Sequence, residues 1–235
     1  MQLCAADIDR VCDEQEILDS LPLDGARVLE LGCGKAEKTR KLAEAGQVKS
    51  ILALEVDTIQ HEKNLQIQDL PNVRFALGGA ESIPAESGSA DIVFMFKSLH
   101  HVPIPLMDQA MSEIRRVLAP GGLAYLSEPL FAGDYNDILR LFHNEEKVRA
   151  AAFEAIKRCV DSGKMELVEE IFFNAPIRYR NFASFEEKVL RVTHTAHVLS
   201  QEIYEQVRNK FNAHMSDNGA QFLTPMRVDL LRKPD

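Results

Sequence analysis

Between residues 26 and 129, short apolar runs alternate with amphipathic stretches five times. This alternation constrains the fold of the 235-residue chain more than any other feature. The runs occupy 26–31, 50–55, 73–77, 90–96 and 123–128. Each is too short to make a stable helix and long enough for a strand. The fourth reads ADIVFMF, apolar nearly throughout, as a strand covered on both faces must be. Between them, 35–44 reads as a helix stopped by Gly46. A second helix opens with Asp57 as N-cap and Gln60 three residues on, and runs to about Leu70, where Pro71 ends it. A third, 105–118, is closed by Ala119-Pro120-Gly121-Gly122. Strand and helix in turn predict an α/β fold, a doubly wound, mostly parallel sheet with helices on both faces. Ligands of such sheets bind beyond the carboxyl ends of the strands, where the strand order switches. Glu30 to Gly32, Glu55, Gly78 to Glu81, Phe96 to His101 and Glu128 all fall at such ends.

After Pro129 the alternation breaks. Residues 134–161 read as a helical pair or one long helix, and 165–180 as strand interrupted at Asn174-Ala175-Pro176. Residues 184–214 read as helix with a break near Thr195, and 221–232 as a last strand. No composition shift marks a linker, so one domain is expected. It comprises an N-terminal helix within 1–25 (over 7–21), a core of 26–129, a helical insertion of 130–165 over the ligand mouth, and 166–235 completing the sheet.

Charge narrows the partners. The net charge is −8 in residues 1–129 and −1 in the remainder. An acidic front half repels phosphate backbones, so nucleic acid is an unfavourable partner. No apolar run approaches the roughly 20 residues that span a bilayer, and acids stand where a signal peptide carries lysines. The expected setting is cytoplasmic. Cys4, Cys12, Cys33 and Cys159 form neither a CxxC pair nor a zinc-like spacing, which fits reduced thiols. The sequence leaves the oligomeric state open.

The turn after the first strand, Val28-Leu29-Glu30-Leu31-Gly32-Cys33-Gly34-Lys35-Ala36-Glu37, carries the most chemistry. Two glycines at i and i+2 permit a tight turn and close approach of backbone to ligand. A pyrophosphate site wants a small residue at i+5, where Glu37 would repel it, and no GK[ST] follows. The turn suits a nucleoside-like ligand without phosphates.

With Leu54-Glu55, Gly79-Ala80-Glu81, Ser89-Ala90-Asp91-Ile92-Val93, Leu99-His100-His101-Val102 and Leu118-Ala119-Pro120-Gly121-Gly122 in the same order, residues 26–129 resemble the class I S-adenosylmethionine-dependent methyltransferases. The resemblance implies a Rossmann-like sheet of seven strands with a helical insertion after the fifth. It implies S-adenosylmethionine as cofactor, S-adenosylhomocysteine as product and a small-molecule acceptor. It implies roles for single residues too. Gly32, Cys33 and Gly34 would line the methionine part, and Glu30 would hold the turn and balance the ammonium. Glu55 would accept hydrogen bonds from both ribose hydroxyls, and Val56 would pack on adenine. Ala80 and Glu81 would flank the adenine edge, while Phe96 and Lys97 would offer backbone to the methionine moiety. Gly79 stands where the family often has an acid that reads the adenine amino group, so Glu81 or a carbonyl must do so here.

Other residues read more plainly. Asp57 is a helix cap, Cys33 a small buried filler, Lys35 and Lys38 solvated charges, and Asp91 a turn anchor. His100 and His101 have no further ligand set nearby in sequence, so no metal is expected. His101 is a candidate for contacting the acceptor or removing its proton. Glu128, ending the fifth strand at the same mouth, is a candidate for orienting it. Phe131, Leu139, Leu141, Phe142 and Phe153 offer an apolar acceptor face, with Tyr135, His143, Tyr179, His194 and His197 as polar contacts. Two competing functions remain: a cofactor-binding but non-methylating regulatory protein of the same fold, and a nicotinamide-dependent oxidoreductase, which Glu37 disfavours.

Overall fold

The structure, a computed structural model, describes residues 1–5, 7–191 and 199–235. His194, His197 and the helix break near Thr195 lie outside the described residues. In chain order the regular elements are α1 (Glu14–Leu18), β1 (Arg27–Leu31), α2 (Glu37–Glu44), β2 (Ser50–Glu55), α3 (Thr58–Asn64) and β3 (Val73–Leu77). Then come β4 (Ala90–Phe96), α4 (Met107–Val117), β5 (Leu118–Pro129), α5 (Asp134–Leu139), α6 (Glu146–Asp161) and β6 (Glu166–Tyr179). The chain closes with α7 (Phe182–Phe185), α8 (Gln201–Asn212), β7 (Met215–Ser216) and β8 (Gly219–Arg232).

The sheet runs β3-β2-β1-β4-β5-β8-β6, with the short β7 paired to β8. The first five strands are parallel, and β8 is antiparallel to both β5 and β6. The expected seven strands are therefore present, and β7 adds a two-residue eighth. Side chains alternate between the two faces as the pleat requires. Leu29, Val93, Met95 and Leu126 pack with α4 and α6, while Val28, Ile51, Phe94 and Tyr125 pack with α1 and α2. The start of β1 is fixed to β4 by Asp91, which accepts from the Arg27 amide (2.8 Å) and pairs with its guanidinium (2.7 Å).

Several expectations are corrected. The N-terminal helix starts only at Glu14, where Asp13 closes a capping box. Ahead of it, Asn174 on the outer edge of β6 binds residues 8–12. Its amide donates to the Arg10 carbonyl at 2.8 Å and its side chain to the Ile8 carbonyl at 2.7 Å. The second helix stops at Asn64, six residues short of Leu70. Strand β6 passes unbroken through Asn174-Ala175-Pro176, because it is an edge strand and a proline there forfeits no ladder bond. Within 130–165, α6 packs beside α4 against the sheet, so only residues 130–145 stand near the mouth. Lys38 is not a solvated charge; it pairs with buried Glu14 at 2.9 Å.

Beyond Pro129 the β6–β8 ribbon outruns β5 and projects past the carboxyl ends of the parallel strands. It carries a separate cap core of Tyr135, Tyr179, Phe185, Phe211 and Phe222 with Val207. Tyr135 and Tyr179 are buried in it and share a hydroxyl–hydroxyl bond of 2.7 Å. Phe153 is buried under the Arg227 guanidinium, 4.5 Å from its ring centre.

Candidate functional site

Strand order reverses between β1 and β4, so the crevice opens above their carboxyl ends. The turn after β1 fills one side. Gly32, Gly34 and Ala36 all adopt left-handed backbone, with φ of 75°, 52° and 60°. Glycine takes this at little cost, and Ala36 is held there under strain. Leu54, Asn64 and Glu55 hold the turn. The Gly32 and Cys33 amides both donate to the Leu54 carbonyl at 2.9 Å. The Asn64 side chain donates to the Gly34 carbonyl at 2.8 Å. Glu55 accepts from the Gly34 amide at 2.7 Å.

A side chain at Gly32 would put its Cβ 2.8 Å from the Ser98 Cβ, whereas one at Gly34 would meet nothing within 4 Å. Gly34 thus presents bare backbone to open space. Ser98 ties the two strand ends together by donating its hydroxyl to the Leu31 carbonyl at 2.8 Å.

Three carboxylates line this side. Glu30 is buried and accepts from the Thr39 hydroxyl at 2.6 Å. Burial pushes its pKa up to about 7, against the pull of Thr39 and Lys38. Glu55 is also buried, and besides Gly34 it accepts from the Val56 and Asp57 amides at 2.8 and 2.9 Å. Glu81 folds back on Gly79, its carboxyl carbon 2.7 Å from where a Cβ at 79 would stand. An acid from two residues on thus occupies the space that an acid at 79 would take. Ala80 beside it is buried, and Val56 is exposed. Asp57 caps α3, accepting from the Ile59 amide at 2.9 Å. Burial raises the Cys33 thiol, which makes it an inert filler.

Across the crevice, Phe96 stacks on Phe94 at 5.2 Å, with the Lys38 ammonium 5.4 Å from its ring centre. Lys97 has left-handed backbone at φ 54° and is exposed, and its amide donates to the Ser127 carbonyl at 2.7 Å.

The mouth beyond holds a charged network that sequence spacing did not reveal. His100 is buried and bonds through Nδ1 to Glu128 Oε2. Glu128 Oε1 accepts from the Leu99 amide at 2.9 Å. On its other edge His100 Nε2 lies 3.5 Å from Glu145 Oε1. The same oxygen meets His143 Nε2 at 2.9 Å, and Arg149 donates to Glu145 Oε2 at 2.6 Å. Burial alone would lower the His100 pKa, but the two glutamates outweigh it and push it up to about 9. Burial would raise Glu145, yet His100 and Arg149 hold it well below the usual range. His101 is exposed, its ring 4.1 Å from that of His100. The surrounding protein and the charge on His100 keep its pKa below the ordinary value. Asn64, Thr39, Ser98, Glu145 and Arg149 were not singled out in the sequence. The last two form an i,i+4 pair in the insertion, and nothing in the sequence links them to a histidine 45 residues earlier.

Residues 28–122 match the family model described as a methyltransferase domain. An uncharacterised methyltransferase of Mycobacterium tuberculosis, Rv3342, is 35% identical over 102 residues. The match spans 43% of this chain and 39% of that one. Matched regions cover no more than 39% of the length of the first few curated relatives. Among solved structures, the YcgJ protein of Bacillus subtilis superposes with a TM-score of 0.66 at 18% identity, covering 94% of this chain and 97% of that one. The [4+2]-cyclase SpnF superposes at 0.60 with 18% identity, covering 94% and 79%. Among the described residues no helix is long and apolar enough to cross a membrane. With the strand order and the left-handed glycine turn at the switch point, the matched residues form a methyltransferase domain on the Rossmann-like fold of the class I S-adenosylmethionine-dependent methyltransferases.

Proposed function

We propose that the protein transfers a methyl group from S-adenosylmethionine to a small-molecule acceptor. The observation that carries this reading is the glycine turn, whose exposed backbone at Gly34 stands beside two buried carboxylates with different surroundings. Glu30 accepts from Thr39 and has no cation in hydrogen-bonding contact among the described residues, which suits it to balance an amino-acid ammonium. Glu55 lies 25 residues on, at the end of the neighbouring strand, where its carboxylate can accept from vicinal hydroxyls. The residues present fit the cofactor. Gly32, Cys33 and Gly34 would line its methionine part, and Val56, Ala80 and Glu81 would flank the adenine. Phe96 and Lys97 offer backbone opposite.

Bound S-adenosylmethionine supplies a methyl group on a sulfonium, and the leaving thioether is neutral. The protein's contribution is therefore to hold acceptor, methyl and sulfur in line and to exclude water. His101, exposed at the mouth with a lowered pKa, is the proton acceptor for a protonated or weakly acidic acceptor atom. Glu128 is held by His100 and the Leu99 amide, so it acts as a positioning residue for His100 at the mouth. The acidic front half and the apolar cap at the mouth favour a small organic acceptor over nucleic acid.

A second reading, a protein of this fold that binds the cofactor without methylating, draws on the fold shared with a structure described as a cyclase. The test is S-adenosylhomocysteine formation, read by mass spectrometry over a panel of phenols, amines and carboxylic acids. Product with any acceptor, reduced in turnover but not in cofactor affinity by His101→Ala, supports transfer. Tight cofactor binding without product across the panel supports the second reading.

A further inference from the structure

We propose that His100, His101 and Glu145 form a binding site for a divalent transition-metal ion of the zinc class, at the mouth of the crevice. The three donor atoms lie within 4.8 Å of one another, brought together from the turn after β4 and the loop before α6. The gap between His100 Nε2 and Glu145 Oε1 is 3.5 Å, long for a hydrogen bond between charged groups. It is close to the edge of a coordination tetrahedron, about 3.3 Å for metal–ligand bonds of about 2.0–2.1 Å.

The surroundings are those of a supported site. Glu128 takes the Nδ1 side of His100 and is itself fixed by the Leu99 amide, so Nε2 is the nitrogen aimed at Glu145. A carboxylate behind a ligating histidine is the usual outer support of such sites. Arg149 holds Glu145 Oε2 at 2.6 Å and leaves Oε1 turned toward the histidines. His143 Nε2 pairs with that oxygen at 2.9 Å and steadies it from the rim. Two imidazoles with one carboxylate select zinc, cobalt or nickel over magnesium or calcium. The ion would cross-link the sheet to the insertion. It would also engage His101, so ligand and free base are alternative states of that residue. The site uses no residue of the glycine turn, and it stands or falls separately from the methyl-donor reading.

The test is titration of tag-free, chelator-stripped protein with Co²⁺, following its visible ligand-field bands, then displacement by Zn²⁺. One equivalent with intense bands of low coordination number is expected. His101→Gln and Glu145→Gln should each weaken binding at least about tenfold, and Glu128→Gln about 10- to 100-fold through the outer support. His101 is exposed, so its variant should keep the wild-type melting temperature and stands as the folded control. Absence of stoichiometric Co²⁺ binding in folded protein overturns the proposal, and so does binding that both His101→Gln and Glu145→Gln leave unchanged. In either case the cluster is a hydrogen-bonded network held by protons alone.

Discussion

Glu30 carries the sharpest consequence at the scale of single residues. Its folded pKa of about 7 lies above the ordinary 4.5, because burial disfavours the charged form. The folded state therefore binds this proton more tightly than the unfolded state. The contribution to stability is complete below about pH 4.5 and is lost as pH rises through about 7, on the order of 3 kcal/mol in all. Glu30→Gln keeps the acceptor for Thr39 and cannot titrate. Urea unfolding at pH 5 and pH 8 should show a smaller fall in stability for the variant than for the wild type; equal falls would contradict the assignment. Glu55 was legible in the sequence as the strand-end acid, but its three backbone donors were not, since they depend on how the chain turns after β2. The Glu81 carboxylate over Gly79 was expected only as an alternative, because no spacing rule tells where a flexible side chain folds back.

At the scale of elements, the two glycines of the turn should separate fold from binding. Gly32→Ala brings a Cβ to 2.8 Å from Ser98 in left-handed backbone, and should cost more than about 2 kcal/mol of stability. Gly34→Ala carries only the conformational penalty, about 1–2 kcal/mol, and projects its methyl into open space. It should fold and lose cofactor affinity. Thermal melts with and without S-adenosylhomocysteine distinguish them, and equal ligand-induced shifts for Gly34→Ala and wild type would contradict the account. Strand β4 was legible because a strand covered on both faces is apolar nearly throughout, as 90–96 shows. The N-terminal helix was overextended because residues 8–12 satisfy Asn174, a partner more than 160 residues away that no local pattern reveals. Pairing with β8 carries β6 through Pro176, whose missing N–H falls on the open edge.

At the scale of the whole molecule, the cap on the β6–β8 ribbon has its own core, separate from the two on the faces of the sheet. Binding at the glycine turn and acceptor selection at the mouth should therefore be separable. Phe211→Ala empties the centre of the cap, where large-to-small changes cost about 3–5 kcal/mol. It should raise acceptor KM while leaving S-adenosylhomocysteine affinity within about twofold, within the additivity expected of sites sharing no partners. A parallel loss of both would mean that the cap supports the cofactor crevice. The mouth was the least legible part of the site, because His100, Glu128 and Glu145 come from three elements that only the folded chain brings together. On this reading the turn from Gly32 to Ala36, with Glu55 behind it, holds an adenosyl cofactor. Calorimetric titration of wild type and Glu55→Gln with S-adenosylmethionine and S-adenosylhomocysteine, with NAD as control, tests it most directly. The account predicts one-site binding of the adenosyl compounds, at least about tenfold weaker in Glu55→Gln, and none of NAD. Folded, cofactor-free protein that binds neither adenosyl compound, or binds them equally well in both forms, would contradict it.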